Sequence, residues 1–428
     1  MFARRLPVER RVPFWAEERV RARADARARA IADYAAAHVP YYRGLLRSGE
    51  VRGVADLAEL PLLDKAAVRD DPAAFRSSAP DVSEGLSLRT TGSTWDPLTV
   101  FHDRRSLLEN IAYAERERTV ETRFVGRQFR YVALDLGFRQ TITTPQEVRA
   151  FYDRSCYRPL RPRHHSAGVD EPLERVVQTI DRLRPDVVRG YGTYLELLFR
   201  TADARGLDLH RPRVVVYTAD GMTLEGRRLV EERFGVPVLS QYSAVEVFRI
   251  GYFCEERQAH HIHEDLCALS IVGPDGRPVP DGEAGEVVVS NLVNRGSVLL
   301  NYRLGDVARI VPGRCACGRT SRLLSVVEGR VSQVVHLSNG SFVHPFAVWA
   351  PLKLHDGVVR YQLVQHEPTR FELRLVTVDR GTFDAVAPQV VPELRETLGG
   401  AEVEASFHER LEQGRGGKFS PVVALPRP

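Results

Sequence analysis

Several short stretches of this chain carry residue types suited to holding phosphate, a metal ion or a developing negative charge. Thr90-Thr91-Gly92-Ser93-Thr94 places hydroxyls on both sides of a glycine. Such a loop turns side-chain and backbone donors onto phosphate oxygens with little steric obstruction. An ordinary polar turn is the competing reading. Lys418 closes Gln413-Gly414-Arg415-Gly416-Gly417-Lys418, a glycine-rich stretch from which a long cationic side chain can reach into a cleft. A frayed basic tail is the alternative. Cys315-Ala316-Cys317 is a tight thiol pair, and Cys254 lies shortly before His260, His261 and His263. Two ligands from each of two loops would close a tetrahedral zinc site, structural because no position is left for water. The single residue between the two cysteines is shorter than the usual spacing of about two to four. No thioredoxin-like context supports a redox pair, and Cys156 and Cys267 read as ordinary buried thiols.

The elements that must position these groups are legible in the hydrophobic pattern. From Glu17 to Ala37, Val20, Ala24, Ala28, Ile31 and Tyr34 recur three or four residues apart, which predicts a helix with one apolar stripe. Its arginines are interrupted by Glu17, Glu18, Asp25 and Asp33 and read as a solvated face. Strand-like Arg130–Leu134, Val187–Val188, Val214–Tyr217 and Val236–Ser240 alternate with helix-like Pro172–Leu183, Tyr194–Ala204 and Leu224–Phe234. This predicts layered α/β structure with parallel pairing. Short strands over Leu269–Val272, Gly285–Asn291, Val298–Tyr302 and Val307–Ile310, separated by turns such as Gly273-Pro274-Asp275-Gly276, predict an antiparallel subdomain. Beyond Arg330, strands at Gln333–His336, Val358–Gln365 and Arg370–Val378, a helix at Thr382–Leu398 and a strand at Glu402–His408 predict a small α+β domain, with a hinge at Gly329-Arg330.

Composition narrows the function classes. The chain has 428 residues, 43% hydrophobic and 27% charged, with 60 Lys and Arg against 56 Asp and Glu. Two or three domains fit that length. The formal charge of +4 gives no nucleic-acid footprint. The first 21 residues lack the apolar core of a secretory signal, and the longest apolar runs are strand-sized. A cytoplasmic protein with no membrane span is expected, and in that compartment five cysteines do not imply disulfides.

Five fragments in fixed order carry a more specific signal. They are Arg89-Thr90-Thr91-Gly92-Ser93-Thr94, Gln241-Tyr242-Ser243-Ala244-Val245-Glu246, Leu300-Asn301-Tyr302-Arg303-Leu304-Gly305-Asp306, Glu328-Gly329-Arg330 and Gly416-Gly417-Lys418-Phe419. Together they resemble the adenylate-forming (ANL) enzymes. Cys254, His261-Ile262-His263-Glu264-Asp265, Cys315-Ala316-Cys317-Gly318-Arg319, His38-Val39-Pro40-Tyr41-Tyr42-Arg43 and Leu60-Pro61-Leu62-Leu63-Asp64-Lys65 are similar to the phenylacetate-CoA ligase-like branch. The resemblance implies an α/β fold: a large N-terminal domain over 1–329 with layered α/β sheets and a zinc-bearing antiparallel subdomain at about 250–325, and a small mobile α+β domain over 330–428.

It also implies roles. The 90–94 loop meets phosphate, Asp220 belongs to the adenine-binding region, and Tyr242 stacks on the base. Glu246 holds Mg2+, a hard cation that prefers carboxylate oxygen. Asp306 accepts the ribose hydroxyls, Arg330 meets ribose or phosphate, and Lys418 neutralises charge between the attacking carboxylate and the α-phosphate. For Asp306 a turn-capping aspartate is the alternative, and for Glu246 a solvated acid at a helix start. Phe138, Tyr191 and Phe248 are candidate walls of the acid pocket, with plain core as the other reading. His261 becomes the fourth zinc ligand beside Cys254, Cys315 and Cys317.

The implied activity is ATP-dependent formation of an acyl adenylate from an aryl or arylacetic acid, followed by transfer to coenzyme A. The cofactors are ATP, Mg2+, structural Zn2+ and CoA; the partners are a carboxylate substrate and an acyl acceptor, with a homodimer as one possible assembly. Transfer to an amine or a carrier-protein thiol is the near alternative. A non-catalytic family member serving a biosynthetic complex as a binding partner is the rival, motivated by Trp95 and Asp96 in the phosphate loop and Val245 before the acid, where the family has phosphate-binding groups. A further departure is Ser332, where the family hinge has an acid.

Overall fold

The computed structural model describes residues 5–82, 84–89, 98–127, 130–137, 163–169, 171–327, 329–330, 335–337, 342–343, 348, 352, 355, 357–411 and 419–425. Its centre is a nine-stranded sheet. Four parallel neighbours, Val132–Gly137, Val187–Tyr191, Val214–Thr218 and Val238–Ala244, are flanked on one side by Arg163–Gly168 and on the other by an antiparallel extension. The parallel strands read as near-continuous Val/Leu runs because both faces are covered. Helices Leu173–Leu183 and Gly192–Ala204 pack on one face through Val176, Ile180, Leu195, Leu198 and Phe199. Helix Glu115–Val125 supplies Val120 and Val125 to the other. The segment expected as one helix over 224–234 is a single α turn, Leu224–Arg228, followed by a wider π turn at Leu229–Arg233.

The antiparallel part differs from the expected single subdomain. Phe248–Phe253, His260–Ile262, Leu323–Leu324 and Ile310–Val311 extend the nine-stranded sheet in that order. Cys267–Val272, Gly285–Asn291, Tyr302–Ala308 and Gly329–Arg330 form a separate four-stranded sheet. Residues 298–301 are not a strand; Asn301 takes φ 52°, and one continuous strand begins at Tyr302. Within it the register jumps, so Glu286 faces Val307 while Val288 faces Arg303. Gly305, at φ 77°, absorbs the bulge, a conformation in which a side chain is strained, and so re-aims the neighbouring Asp306.

The expected N-terminal helix is present as Glu17–His38, with Ala24, Ala28, Ile31 and Ala35 in a core shared with Leu57, Leu63, Val287, Val289 and Tyr302. A third core surrounds strands Val358–Glu367, Arg370–Thr377 and Glu402–Phe407 and helix Arg380–Thr397, which buries Phe383, Val386, Val390 and Leu394. A short last strand, Val422–Val423, joins Val358–Glu367 in parallel. No described helix is long and apolar enough to cross a membrane.

Candidate active site and candidate metal centre

The expected nucleotide groups converge where the central sheet meets the four-stranded one. Tyr242 ends a parallel strand, Glu246 lies in the turn that follows, and Asp306 comes from the bulge. The Tyr242 hydroxyl donates to Asp306 Oδ2 at 2.8 Å. Glu246 is not a solvated acid at a helix start: it is 7% exposed and sits in the Ala244–Phe248 hairpin turn. Tyr302 donates to its Oε1 at 3.2 Å, and Asn291 Nδ2 donates to its backbone carbonyl at 3.1 Å. Burial raises the Glu246 pKa and Asp306 adds to the rise, against the opposing influence of Lys65 and Tyr302. A cation placed beside Glu246 would relieve this burial penalty.

Asp220 follows the neighbouring strand and accepts from Thr193 N at 3.3 Å and Thr193 Oγ1 at 2.6 Å. This approach requires Gly192: a Cβ there would lie 2.5 Å from the Gly221 carbonyl and 2.6 Å from Met222 N. Tyr191 adjoins the same corner, half-buried, its hydroxyl pKa raised by burial and by Asp220. Phe248, at φ 62°, stacks 3.9 Å from the His102 ring. His102 is fully buried, its Nε2 lies 2.7 Å from the Val245 carbonyl, and its Nδ1 has no partner among the described residues. Burial takes its pKa down to about 4, so the ring is neutral. Arg330 pairs by backbone with Asp306, and its side chain lies outside the described residues. So do Thr90, Thr91, Gly92, Ser93, Thr94, Trp95, Asp96, Phe138, Cys156, Ser332 and Lys418.

The second assembly is the cysteine–histidine cluster. Cys254 follows one strand of the sheet extension, His261 lies in the next, and Cys315 and Cys317 occupy the loop between Val311 and Leu323. Their ligand atoms all lie within 4.8 Å of one another. Cys254 Sγ is 3.6 Å from Cys315 Sγ, and Cys317 Sγ is 3.3 Å from His261 Nε2. Ligands at about 2.0 to 2.3 Å from a tetrahedral zinc are separated by distances of this order. Strand alternation separates His261 from His260, and His263 is engaged elsewhere. His260 turns the other way, to Ser240 Oγ at 2.8 Å, and His263 contacts Glu117 at 3.1 Å. The free ring nitrogen of His261, Nδ1, lies 3.2 Å from Ser321 Oγ, the outer-shell contact that orients a metal-binding imidazole. The Arg319 backbone N–H reaches Cys317 Sγ at 3.5 Å, while its guanidinium clamps Glu255 at 2.6 and 3.1 Å. Burial and the neighbouring thiols push Cys254 up to about 12, as expected where thiolates are crowded together without a cation. The donor set therefore fits a closed, soft-ligand metal site.

Comparison with known proteins agrees with this geometry. The sequence is 26% identical over 399 residues to phenylacetate-coenzyme A ligase of Thermus thermophilus, covering 88% of this chain and 85% of that protein. It is 29% identical over 234 residues to the Escherichia coli K12 phenylacetate-coenzyme A ligase, covering 52% and 49%. The chain resembles the phenylacetate-CoA ligase branch of the adenylate-forming enzymes. Its fold is that of 2-hydroxyisobutyryl-CoA ligase, with a TM-score of 0.76 at 18% identity over 98% of this chain and 91% of that one, in the postadenylation state with an acyl-AMP. Against the same ligase in the thioesterification state, with CoA, the TM-score is 0.60. No family model matches the chain. Sequence reasoning about this ligase-like chain missed Lys65 and His102. Lys65 lay in a quoted resemblance segment, but nothing local tied it to Glu246.

Proposed function

We propose that the chain is an AMP-forming acid–thiol ligase. A carboxylate oxygen attacks the α-phosphorus of ATP and expels pyrophosphate; the sulfur of coenzyme A then attacks the acyl carbon and expels AMP, the thiol proton going to solvent. The observation that carries this reading is the convergence of Tyr242, Glu246 and Asp306 at one buried corner of a ligase-like fold. In this assignment the Tyr242 ring faces the base and Asp306 exchanges its tyrosine partner for ribose hydroxyls. Glu246 would hold Mg2+, which when bound neutralises phosphate charge. Asp220 borders the base, the 90–94 loop and Arg330 meet phosphate or ribose, and Lys418 stabilises the charge that develops at the α-phosphate. Val245 offers no hydroxyl to the nucleotide, which places more of the phosphate binding on that loop and on Lys418. Tyr191, Phe248 and Phe138 are assigned to the acid pocket, and aryl or arylacetic acids are the substrate class.

The assignment divides the chain into a large unit, 1–329, and a small one, 330–428, that closes on it for the first step and turns for the second. A screen of aryl and alkyl acids for ATP–pyrophosphate exchange tests the activity. Acid-dependent exchange is expected; none with any acid, together with no ATP binding by calorimetry, would overturn it. In the same reading Cys254, His261, Cys315 and Cys317 hold one structural zinc that cross-links three strands. Elemental analysis should give about one zinc per chain, and the Cys315→Ser/Cys317→Ser double variant should lose it. Full zinc retention by that variant would remove the site.

A further inference from the structure

Residues 411 and 419 bracket the segment that carries Lys418, and both are described. Leu411 and Phe419 are each 8% exposed and pack into one small cluster with Val376, against Val359. The two ends of the segment are thereby pinned at a common base. The chain after it is stitched to strand Val358–Glu367: Gln362 Nε2 donates to the Ser420 carbonyl at 3.0 Å, Leu363 N donates to the Pro421 carbonyl at 2.8 Å, and Leu363 pairs with Val422. On the same strand, the Arg360 guanidinium lies 3.8 Å from the centre of the Phe419 ring. That contact is with the residue adjoining Lys418.

Arg360 also looks the other way, towards the large unit. Its strand packs against helix Gly192–Ala204, which begins beside Asp220. The charges that act on Arg360 are Asp220 first and then Glu196, both on the large unit. Arg360 Nη2 is buried and has no hydrogen-bond partner among the described residues. Burial disfavours its charge, while the Phe419 ring and the more distant Asp220 and Glu196 favour it, and it makes no ion pair among the described residues. Such an interaction can form and release as two units close and part. The whole-chain likeness, 0.76 to a postadenylation state against 0.60 to a thioesterification state of one ligase, matches an arrangement in which that interface is made.

We propose that Arg360 is a positioning residue: stacked on Phe419, it holds the small unit against the Asp220 corner of the large unit during adenylate formation, and releases when the acyl group is transferred. This rests on the ligase reading of the site. Sequence inspection gave no sign of it, since Arg360 stands in an unremarkable strand.

The test separates the two half-reactions in the full-length protein. Arg360→Ala should slow ATP–pyrophosphate exchange about tenfold, the scale of a desolvated cation–π contact, while thioester formation from a presynthesised acyl adenylate stays within about twofold of wild type. Arg360→Lys, which keeps the charge without the planar stack, should recover part of the loss. Equal losses in both half-reactions, or unchanged exchange, would overturn the proposal. Hydrogen exchange supplies a readout without catalysis. Arg360→Ala should raise exchange across 192–204 and leave 402–407 unchanged, and an unaltered 192–204 would overturn the latch. If wild type shows no pyrophosphate exchange with any acid, the ligase reading fails, and hydrogen exchange still decides whether Arg360 holds the two units together.

Discussion

Two buried groups of carboxylates in this molecule are wired in opposite ways. In one, Arg116, 3% exposed, bridges Glu9 at 2.5 Å and Asp265 at 2.6 and 2.9 Å, with Arg23 and Arg27 adding contacts to Asp265 at 3.2 and 3.1 Å. Beside it Glu117 is paired with Arg249 and His263. Burial alone would raise the pKa of Glu117, yet the Arg249 charge and the His263 contact bring it down to about 2. In the other group, buried Glu246 lies beside half-buried Asp306, each bonded to a tyrosine, and burial raises the Glu246 pKa with Asp306 adding to the rise and Lys65 opposing it. In the first group the arginine charges outweigh burial and hold the carboxyl ionised; in the second, burial prevails and disfavours the charged form.

The strongest way to break this comparison is to unpair the first group. Arg116→Met should cost about 3 kcal/mol, since it leaves buried Glu9 and Asp265 with only the partly exposed Arg23 and Arg27 among their described partners. Urea or thermal unfolding reads it, and a cost below about 1 kcal/mol would mean the network is solvated.

Glu117→Gln should be destabilising by about 3 kcal/mol at pH 7. Its depressed pKa fixes the pH window. The contribution is fully present above the unfolded carboxyl value of about 4.3 and is lost as pH falls towards the folded value of about 2. Wild type and variant should therefore draw together as pH falls below about 4 and converge in stability only at about pH 2 and below.

A smaller effect of opposite sign is expected at the second group. Glu246→Gln keeps the size and the Tyr302 partner while removing an underpaired charge, so in metal-free buffer at pH 7 it should stabilise the protein by about 1 kcal/mol. A carboxyl with a raised folded pKa destabilises at pH values above its unfolded one, and the gain should fade as pH falls below about 4. Equal destabilisation by Glu117→Gln and Glu246→Gln would erase the distinction between the two regions.

Much of this arrangement was legible before folding. Val-rich runs marked the parallel strands because burial on both faces leaves little room for polar residues, and the thiol pair with Cys254 marked the cysteine–histidine cluster. What the sequence could not carry is pairing at a distance. Glu9 and Arg116 are 107 residues apart, and no local period links them. The resemblance alone named His261; in the fold, parity turns His260 away from the cysteines and the Glu117 contact takes His263. The hairpin bearing Cys254 and His261 joins the central sheet together with Ile310–Val311 and Leu323–Leu324, whereas Cys267–Val272, Gly285–Asn291, Tyr302–Ala308 and Gly329–Arg330 form their own, and short strands of similar composition do not announce which edge they will extend. Lys65 near Glu246 and the Arg360–Phe419 stack are likewise tertiary facts.

The central claim of the proposed function is that Glu246 holds the metal of a bound nucleotide. Calorimetric titration of ATP with and without Mg2+, in wild type and in Glu246→Gln, tests it most directly. Mg2+ should tighten ATP binding to wild type by about tenfold or more and change binding to the variant little, a coupling of the size expected for one well-placed carboxylate. An identical response to Mg2+ in both proteins would contradict the account.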